Sequence, residues 1–209
     1  MSIRFPTVAR TSRLRLALAA AGLCTAALIA GPALAATAPT SNPELAPTGQ
    51  CAGDADGAAP AAVQQGAMRC LINAARQAHG LSTLSPSAPL ARSAALKNTL
   101  MLRCDDFAHN ACGQTWDRVF TQAGYRGPAH GENIGWASAA IGSPRQVMAL
   151  WLTSPEHRAN ILRPGWSRQA VAVRVAVDFQ SLSDVDVWTS QFGADDLAAA
   201  AERAPRSAR

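Results

Sequence analysis

Hydrophobic positions along this 209-residue chain follow a helical period in its first half. One run places apolar residues at i, i+3, i+4 and i+7: Met68, Leu71, Ile72 and Ala75. This spacing predicts an amphipathic helix over 62–78. A second helix is predicted over 88–103, again with apolar residues along its inner side.

Two Ser-Pro pairs predict the starts of two further helices. A serine can cap a helix N-terminus and a proline suits the first helical position, as at Ser143-Pro144 and Ser154-Pro155. The first of these helices is expected to run through Trp151. The second is expected to be short and to end near residue 163.

Later in the chain the hydrophobic period shortens to two residues. Valine alternates with other residues over 171–177 and again over 185–187, which predicts two strands joined as a hairpin. A helix-rich first half followed by a strand-rich second half indicates an α+β domain built in layers.

The N-terminus has the layout of a secretory signal peptide. A positive region with four arginines and no acidic residue leads into an apolar run that ends at Ile29. Ala33-Leu34-Ala35 then forms a small-x-small cleavage site. We therefore expect a signal peptide over 1–35 and a secreted, extracellular or periplasmic mature protein. The apolar run is short for a membrane span of about 20 residues, so no transmembrane span is expected in the mature chain.

The remaining sequence divides into three parts. Residues 36–60 are rich in Ala, Pro, Thr, Gly and Asp without a hydrophobic period, and are predicted to form a flexible leader. Residues 61–193 have the size of one ordinary domain. Residues 194–209 are Ala-rich and then Arg-rich and Ser-rich, and are predicted to be a disordered tail.

The predicted cleavage changes the charge of the protein. The chain has 19 Lys and Arg residues against 14 Asp and Glu, a net charge of +5, and the signal peptide removes four of the arginines. The mature protein is then close to neutral. A nucleic-acid-binding surface needs a concentrated basic face, so nucleic acid is not an expected partner.

Four cysteines remain after removal of Cys24 with the signal peptide: Cys51, Cys70, Cys104 and Cys112. An even number in an oxidising compartment predicts disulfides, and four cysteines allow three pairings. We favour Cys104 with Cys112, which closes a short loop, and Cys51 with Cys70, which ties the leader to the first helix. The sequence alone does not fix this connectivity.

Several short motifs resemble, in the same order, those of the CAP superfamily of cysteine-rich secretory, antigen 5 and pathogenesis-related 1 proteins, in its bacterial form. The first is the helix LINAARQAHGLSTL. The others are Phe107-Ala108-His109, Ala123-Gly124-Tyr125, Gly131-Glu132-Asn133-Ile134, the run from Trp151 to Leu162, and Trp188 to Gly193. The resemblance covers nearly all of 67–193 and implies an SCP-like extracellular domain folded as a three-layer α-β-α CAP sandwich.

The resemblance also implies a functional cleft. Complete family sites place two histidines and two glutamates in a cleft that can hold a divalent metal, often Zn²⁺. His109, Glu132 and His157 match three of these ligands, and Ser154 stands where many members have the second glutamate. Two imidazoles and one carboxylate also form a ligand set that suits zinc. His130 or Glu156 could supply a substitute ligand.

Structural roles are the alternative for the same residues. Ser154 is expected to act as a helix N-cap whose hydroxyl accepts amide protons. Glu132 could bond backbone amides in a turn, and His109 could order a disulfide-closed loop. His130 is expected to be a solvated loop residue.

Two classes of function follow from the resemblance. The favoured one is an extracellular or cell-envelope binding module that takes a lipid or another envelope component. Aromatic residues that could serve it are Trp116, Tyr125, Trp136, Trp151 and Trp166. The alternative is a metal-dependent, protease-like hydrolase in which His109, Glu132 and His157 hold a metal-activated water.

Overall fold

The computed structural model describes residues 42–138 and 141–195, so the predicted signal peptide and most of the predicted tail lie outside it. The helices precede the two long strands at the end of this part of the chain. In order the elements are α1 (Ala61–Ala78), β1 (Ser85–Pro86), α2 (Ala88–Arg103), a 3-10 helix (Ala111–Gly113), α3 (Arg118–Gln122), β2 (His130–Ser138), α4 (Pro144–Thr153), α5 (Pro155–Ile161), β3 (Arg168–Phe179) and β4 (Leu182–Gly193). All four predicted helices are present.

The strands form one mixed sheet in the order β1-β3-β4-β2. β3 and β4 are antiparallel neighbours, which confirms the predicted hairpin. β2 pairs antiparallel with β4, and the short β1 pairs parallel with β3. β2 was not predicted, and Glu132 was expected in a turn. This was wrong, because Glu132 lies inside β2 with Gln191 of β4 directly opposite.

Each face of the sheet is covered by its own helical layer. One core joins α1, α4 and α5 to one side of the sheet, and a second core joins α2 and α3 to the other. β4 supplies both cores in alternation, since Val187 packs with α2 and Trp188 with the α1 layer. This arrangement is the predicted α+β, α-β-α architecture.

Two glycines in β2 mark the face of the strand that packs against α4 and α5. A Cβ on Gly131 would lie 2.6 Å from Asn160 Oδ1, and one on Gly135 would lie 3.1 Å from Trp151 Nε1. These positions face α4 and α5 and need to be small because the helices approach closely. Side chains alternate along a strand, so Glu132 and Ile134 point toward the α2 layer.

Both favoured disulfide pairings are confirmed. Cys51 bonds Cys70, with Cα atoms 5.6 Å apart, and Cys104 bonds Cys112, with Cα atoms 5.5 Å apart. The first bridge ties the segment before α1 to that helix. The second closes the loop between α2 and the 3-10 helix.

Residues 42–60 differ from the flexible leader that was expected. They form successive turns packed on the domain, with Ala46, Cys51 and Asp54 buried. Arg145 of α4 donates to the carbonyls of Ala46 and Pro47 and pairs with Asp54. Polar contacts from the helices, which the local composition does not reveal, hold this segment in place.

A second ion pair fixes the start of the same segment. Arg158 Nε donates to Glu44 Oε2 at 2.9 Å, and His79 contacts the other oxygen at 2.6 Å. The hydrogen bond from Arg158, assisted by the one from His79, holds the pKa of Glu44 below its ordinary value. None of the helices in 42–138 and 141–195 combines the length and hydrophobicity that crossing a bilayer requires.

Replacing Arg145 with glutamine should destabilise the protein by roughly 3 kcal/mol, because the buried Asp54 carboxylate loses its counter-charge. Urea unfolding measures the change, and limited proteolysis should show faster cleavage within 42–60. Arg126→Gln, at an exposed arginine, is the matched control and should stay within about 0.5 kcal/mol of the wild type. Equal midpoints for the two variants would show that Arg145 does not anchor the segment.

Candidate binding cleft

An open cavity of about 320 Å³ lies where the loop after α2 meets β2, and it is lined by His109, Asn110, Trp116 and Glu132. Trp116 is 38% exposed as a residue, and its indole is available at the cavity. The Cys104–Cys112 bridge closes the loop that carries His109 and Asn110. The structure thus brings two predicted site residues, His109 and Glu132, into one cavity.

The Glu132 carboxylate is held by three side chains. Oε1 lies 2.9 Å from His109 Nδ1 and 3.2 Å from Lys97 Nζ, and Oε2 accepts from Gln191 Nε2 at 2.9 Å. The side chains of Glu132 and Lys97 are each 1% exposed. A buried carboxylate is costly unless it is paired and hydrogen-bonded, and here both conditions are met.

Lys97 was not predicted as a site residue, although its position in the helix carries a signal. It follows Leu90 and Ala94 and precedes Met101 at helical spacing, so it occupies the apolar face of α2. A lysine on a buried helix face requires a partner. Gln191 had no such signal, because only the pairing of β2 with β4 brings it opposite Glu132.

His157 is placed differently from the other two predicted ligands. Its residue is 3% exposed, and its ring stacks on Trp151 with centroids 6.3 Å apart. Nδ1 lies 2.7 Å from Ser154 Oγ, and the ring also bonds the backbone of Ile134. Burial is the main cause that lowers the pKa of His157 to about 4, so the ring is neutral at pH 7.

Ser154 does not cap α5 as expected. Its side chain accepts no amide proton of the helix, and its hydroxyl is directed at His157 Nδ1 instead. The hydroxyl donates to the imidazole because a buried neutral ring needs a donor for its unprotonated nitrogen. Pro155 still occupies the first position of α5, so the helix starts where the sequence predicted.

His130 is not the solvated loop residue that was expected. It begins β2, and its ring lies 4.2 Å from that of Phe120 and 5.0 Å from that of Trp116, measured between centroids. Burial lowers the pKa of His130. Its aromatic contacts support Trp116 at the cavity.

The residues present do not fit a divalent metal. Within 42–138 and 141–195, no group of three or more His, Cys, Asp or Glu side chains is placed to hold an ion. Both oxygens of Glu132 are engaged by protein donors, and the hydrogen bonds of His157 are made inside the protein. At the position where many family members have the second glutamate, Ser154 supplies a hydroxyl and not a carboxylate.

The five aromatic residues named from the sequence divide into one exposed and four buried side chains. Trp116 alone among them lines the cavity. The buried ones pack in the two cores: Tyr125, Trp136, Trp151 and Trp166. Aromatic chemistry at the cleft therefore depends on Trp116.

A mixed sheet between two helical layers, tied by two disulfides and bordered by a polar cleft, defines a small disulfide-stabilised α-β-α domain. The sequence profile of the CAP family, described as the cysteine-rich secretory protein family, matches residues 70–192. This is more than half of the chain, and the protein belongs to that family.

The chain is also similar to individual proteins of other bacteria. The chain is 30% identical over 124 residues to the uncharacterized protein YkwD of Bacillus subtilis, a match that covers 58% of this chain and 44% of that protein. An extracellular protein containing a SCP domain from Bacillus anthracis has 24% identity and a TM-score of 0.50, over 61% of this chain and 39% of its own. An outer surface protein from Borrelia burgdorferi has 15% identity and a TM-score of 0.53, over 62% of this chain and 90% of its own. The two structures show the same fold.

The buried His157 ring predicts that stability increases with pH between about 4 and 6.5. The unfolded chain protonates this histidine near its ordinary pKa of about 6.5, whereas the folded protein does so at about 4. The unfolded state therefore binds more protons in this window, and the free energy of unfolding falls by roughly 3 kcal/mol at most as the pH drops through it.

Urea unfolding at several pH values, compared between the wild type and His157→Gln, isolates this contribution. The variant should have a smaller pH dependence between 4 and 6.5, and identical slopes would contradict the assignment. NMR titration of the His157 ring in the wild type gives the same pKa directly, even where the variant does not fold.

Proposed function

We propose that the protein is an extracellular binding module whose cleft takes a component of the cell envelope. The observation that carries the proposal is the exposed indole of Trp116 beside the polar groups of His109, Asn110 and Glu132 in one cavity. The predicted signal peptide supports the location. So do relatives whose names describe an extracellular protein and an outer surface protein.

The lining of the cleft favours a particular kind of envelope component. An aromatic face next to amide and imidazole groups suits a ligand that has both an apolar face and hydrogen-bonding groups. A bare acyl chain would cover Asn110 and His109 without satisfying them, which costs free energy. The sugar-bearing part of the envelope therefore fits the cleft better than a lipid chain.

The hydrolase alternative has less support. It needs His109, Glu132 and His157 around one metal-activated water, whereas His157 is bonded to Ser154 and stacked on Trp151. The Glu132 carboxylate is already engaged by Lys97 and Gln191. A binding role requires only the cavity surface that is present.

Co-sedimentation of the purified protein tests the proposal with two probes. One is isolated cell-wall sacculi, and the other is vesicles of phosphatidylethanolamine and phosphatidylglycerol. We expect binding to the sacculi, and a loss of about tenfold in affinity for Trp116→Ala, equivalent to about 1.4 kcal/mol of aromatic contact.

Val63→Ala is the control, since it removes an exposed apolar side chain from α1 in the opposite layer. It should bind as the wild type does. Equal retention of the Trp116→Ala variant would show that the cleft is not the binding site, and retention on vesicles alone would overturn the preference for a polar component.

A further inference from the structure

We infer that the Lys97 ammonium takes the place of a divalent cation at the Glu132 carboxylate, so that the cleft keeps its geometry without a metal. The inference does not depend on the identity of the ligand. It assigns to Lys97 the role of a positioning residue for Glu132 and His109.

The Lys97 ammonium contacts two oxygen atoms of the cleft residues, as a bound cation would. Its Nζ lies 3.2 Å from Glu132 Oε1 and also donates to the backbone carbonyl of His109. Both partners of the ion pair are almost fully buried. An ammonium group has three donors and no acceptor, so a carboxylate and a carbonyl together suit a charge that is removed from water.

The carboxylate has little capacity left for another cation. Oε1 also faces His109 Nδ1 at 2.9 Å, and Oε2 accepts from Gln191 at 2.9 Å. A metal ion at Glu132 would displace these donors and would lie within a few ångströms of the ammonium. Like charges repel strongly where water is excluded, so the two cations exclude each other.

The composition of the chain indicates that position 97 has a specific requirement for lysine. Among the 19 Lys and Arg residues, Lys97 is the sole lysine. Lysine presents a compact point charge on a flexible stem, whereas arginine presents a planar fork that needs more space. A chain that otherwise uses arginine therefore uses lysine where the charge must fit between α2, β2 and the loop that carries His109.

Lys97 links three parts of the cleft through these contacts. It extends from α2, pairs with Glu132 on β2, and holds the main chain of His109 in the disulfide-closed loop. Glu132 in turn orients the His109 ring, because an ionised carboxylate accepts and Nδ1 must carry the proton. The orientation of the His109 ring is thus set by a partner that Lys97 holds.

The unique lysine makes the first test direct. Protein labelled with ¹⁵N-lysine gives one Nζ signal, which is followed by NMR during titration with zinc chloride alone. We expect the signal to stay in place, and metal analysis after dialysis to find less than about 0.1 equivalent of zinc per chain. One equivalent of retained zinc that is lost in Glu132→Gln would overturn the inference.

Variants test the positioning role. Lys97→Met keeps the approximate length of the side chain but removes the ammonium that pairs with the buried carboxylate. The ratio of folded to unfolded protein should fall more than tenfold, and the ¹⁵N signals of the His109 ring should shift. In Lys97→Met with Glu132→Gln, most of the lost stability should return, because no buried charge remains.

The double variant keeps the test decisive if Lys97→Met alone does not fold. The charge pairing predicts strong coupling, so adding Lys97→Met to Glu132→Gln should change the ratio of folded to unfolded protein only slightly. A further tenfold fall in that ratio would contradict the pairing. Lys97→Met with wild-type stability and unchanged His109 signals would also refute it.

Discussion

The burial of one carboxylate constrains the whole cleft. Glu132 lies inside an edge strand whose side chains at alternate positions enter opposite cores, and its side chain is only 1% exposed. It must be compensated where it stands, and the three groups that do so come from α2, β4 and the loop after α2. Displacing any of these elements would break a contact to Glu132, which couples the fold of the sheet to the shape of the cavity.

Most of the fold could be predicted from local sequence because the helices are amphipathic or have clear start signals. Met68 and Leu71 indicate α1, and the Ser-Pro pairs at 143 and 154 indicate α4 and α5. β2 was not predicted because both of its faces are buried. Its residues on one face are glycine, asparagine or alanine, whose small or polar side chains allow the close approach of Trp151 and Asn160 and give no strong hydrophobic alternation.

The site could be predicted only in part, because its contacts join residues that are distant in the chain. The family resemblance pointed to His109 and Glu132, and the structure brings them within hydrogen-bond distance. The resemblance also pointed to His157. Its neutral ring is bonded to Ser154 and stacked on Trp151, so it packs in the interior of the domain. Motifs specify which residues are present, whereas the partner of each residue depends on the side chains around it, here Ser154 beside His157 and Lys97 beside Glu132.

The Cys104–Cys112 bridge makes the shape of the cleft depend on the redox conditions around the protein. The loop it closes carries His109 and Asn110, and a reducing cytosol would keep these thiols apart. Without the bridge, that loop would depend on the Lys97 contact and on the edge-to-face packing of Phe107 with Trp136 and Phe179. Closing this bridge therefore requires an oxidising environment, and the bond then fixes covalently the loop that carries His109 and Asn110.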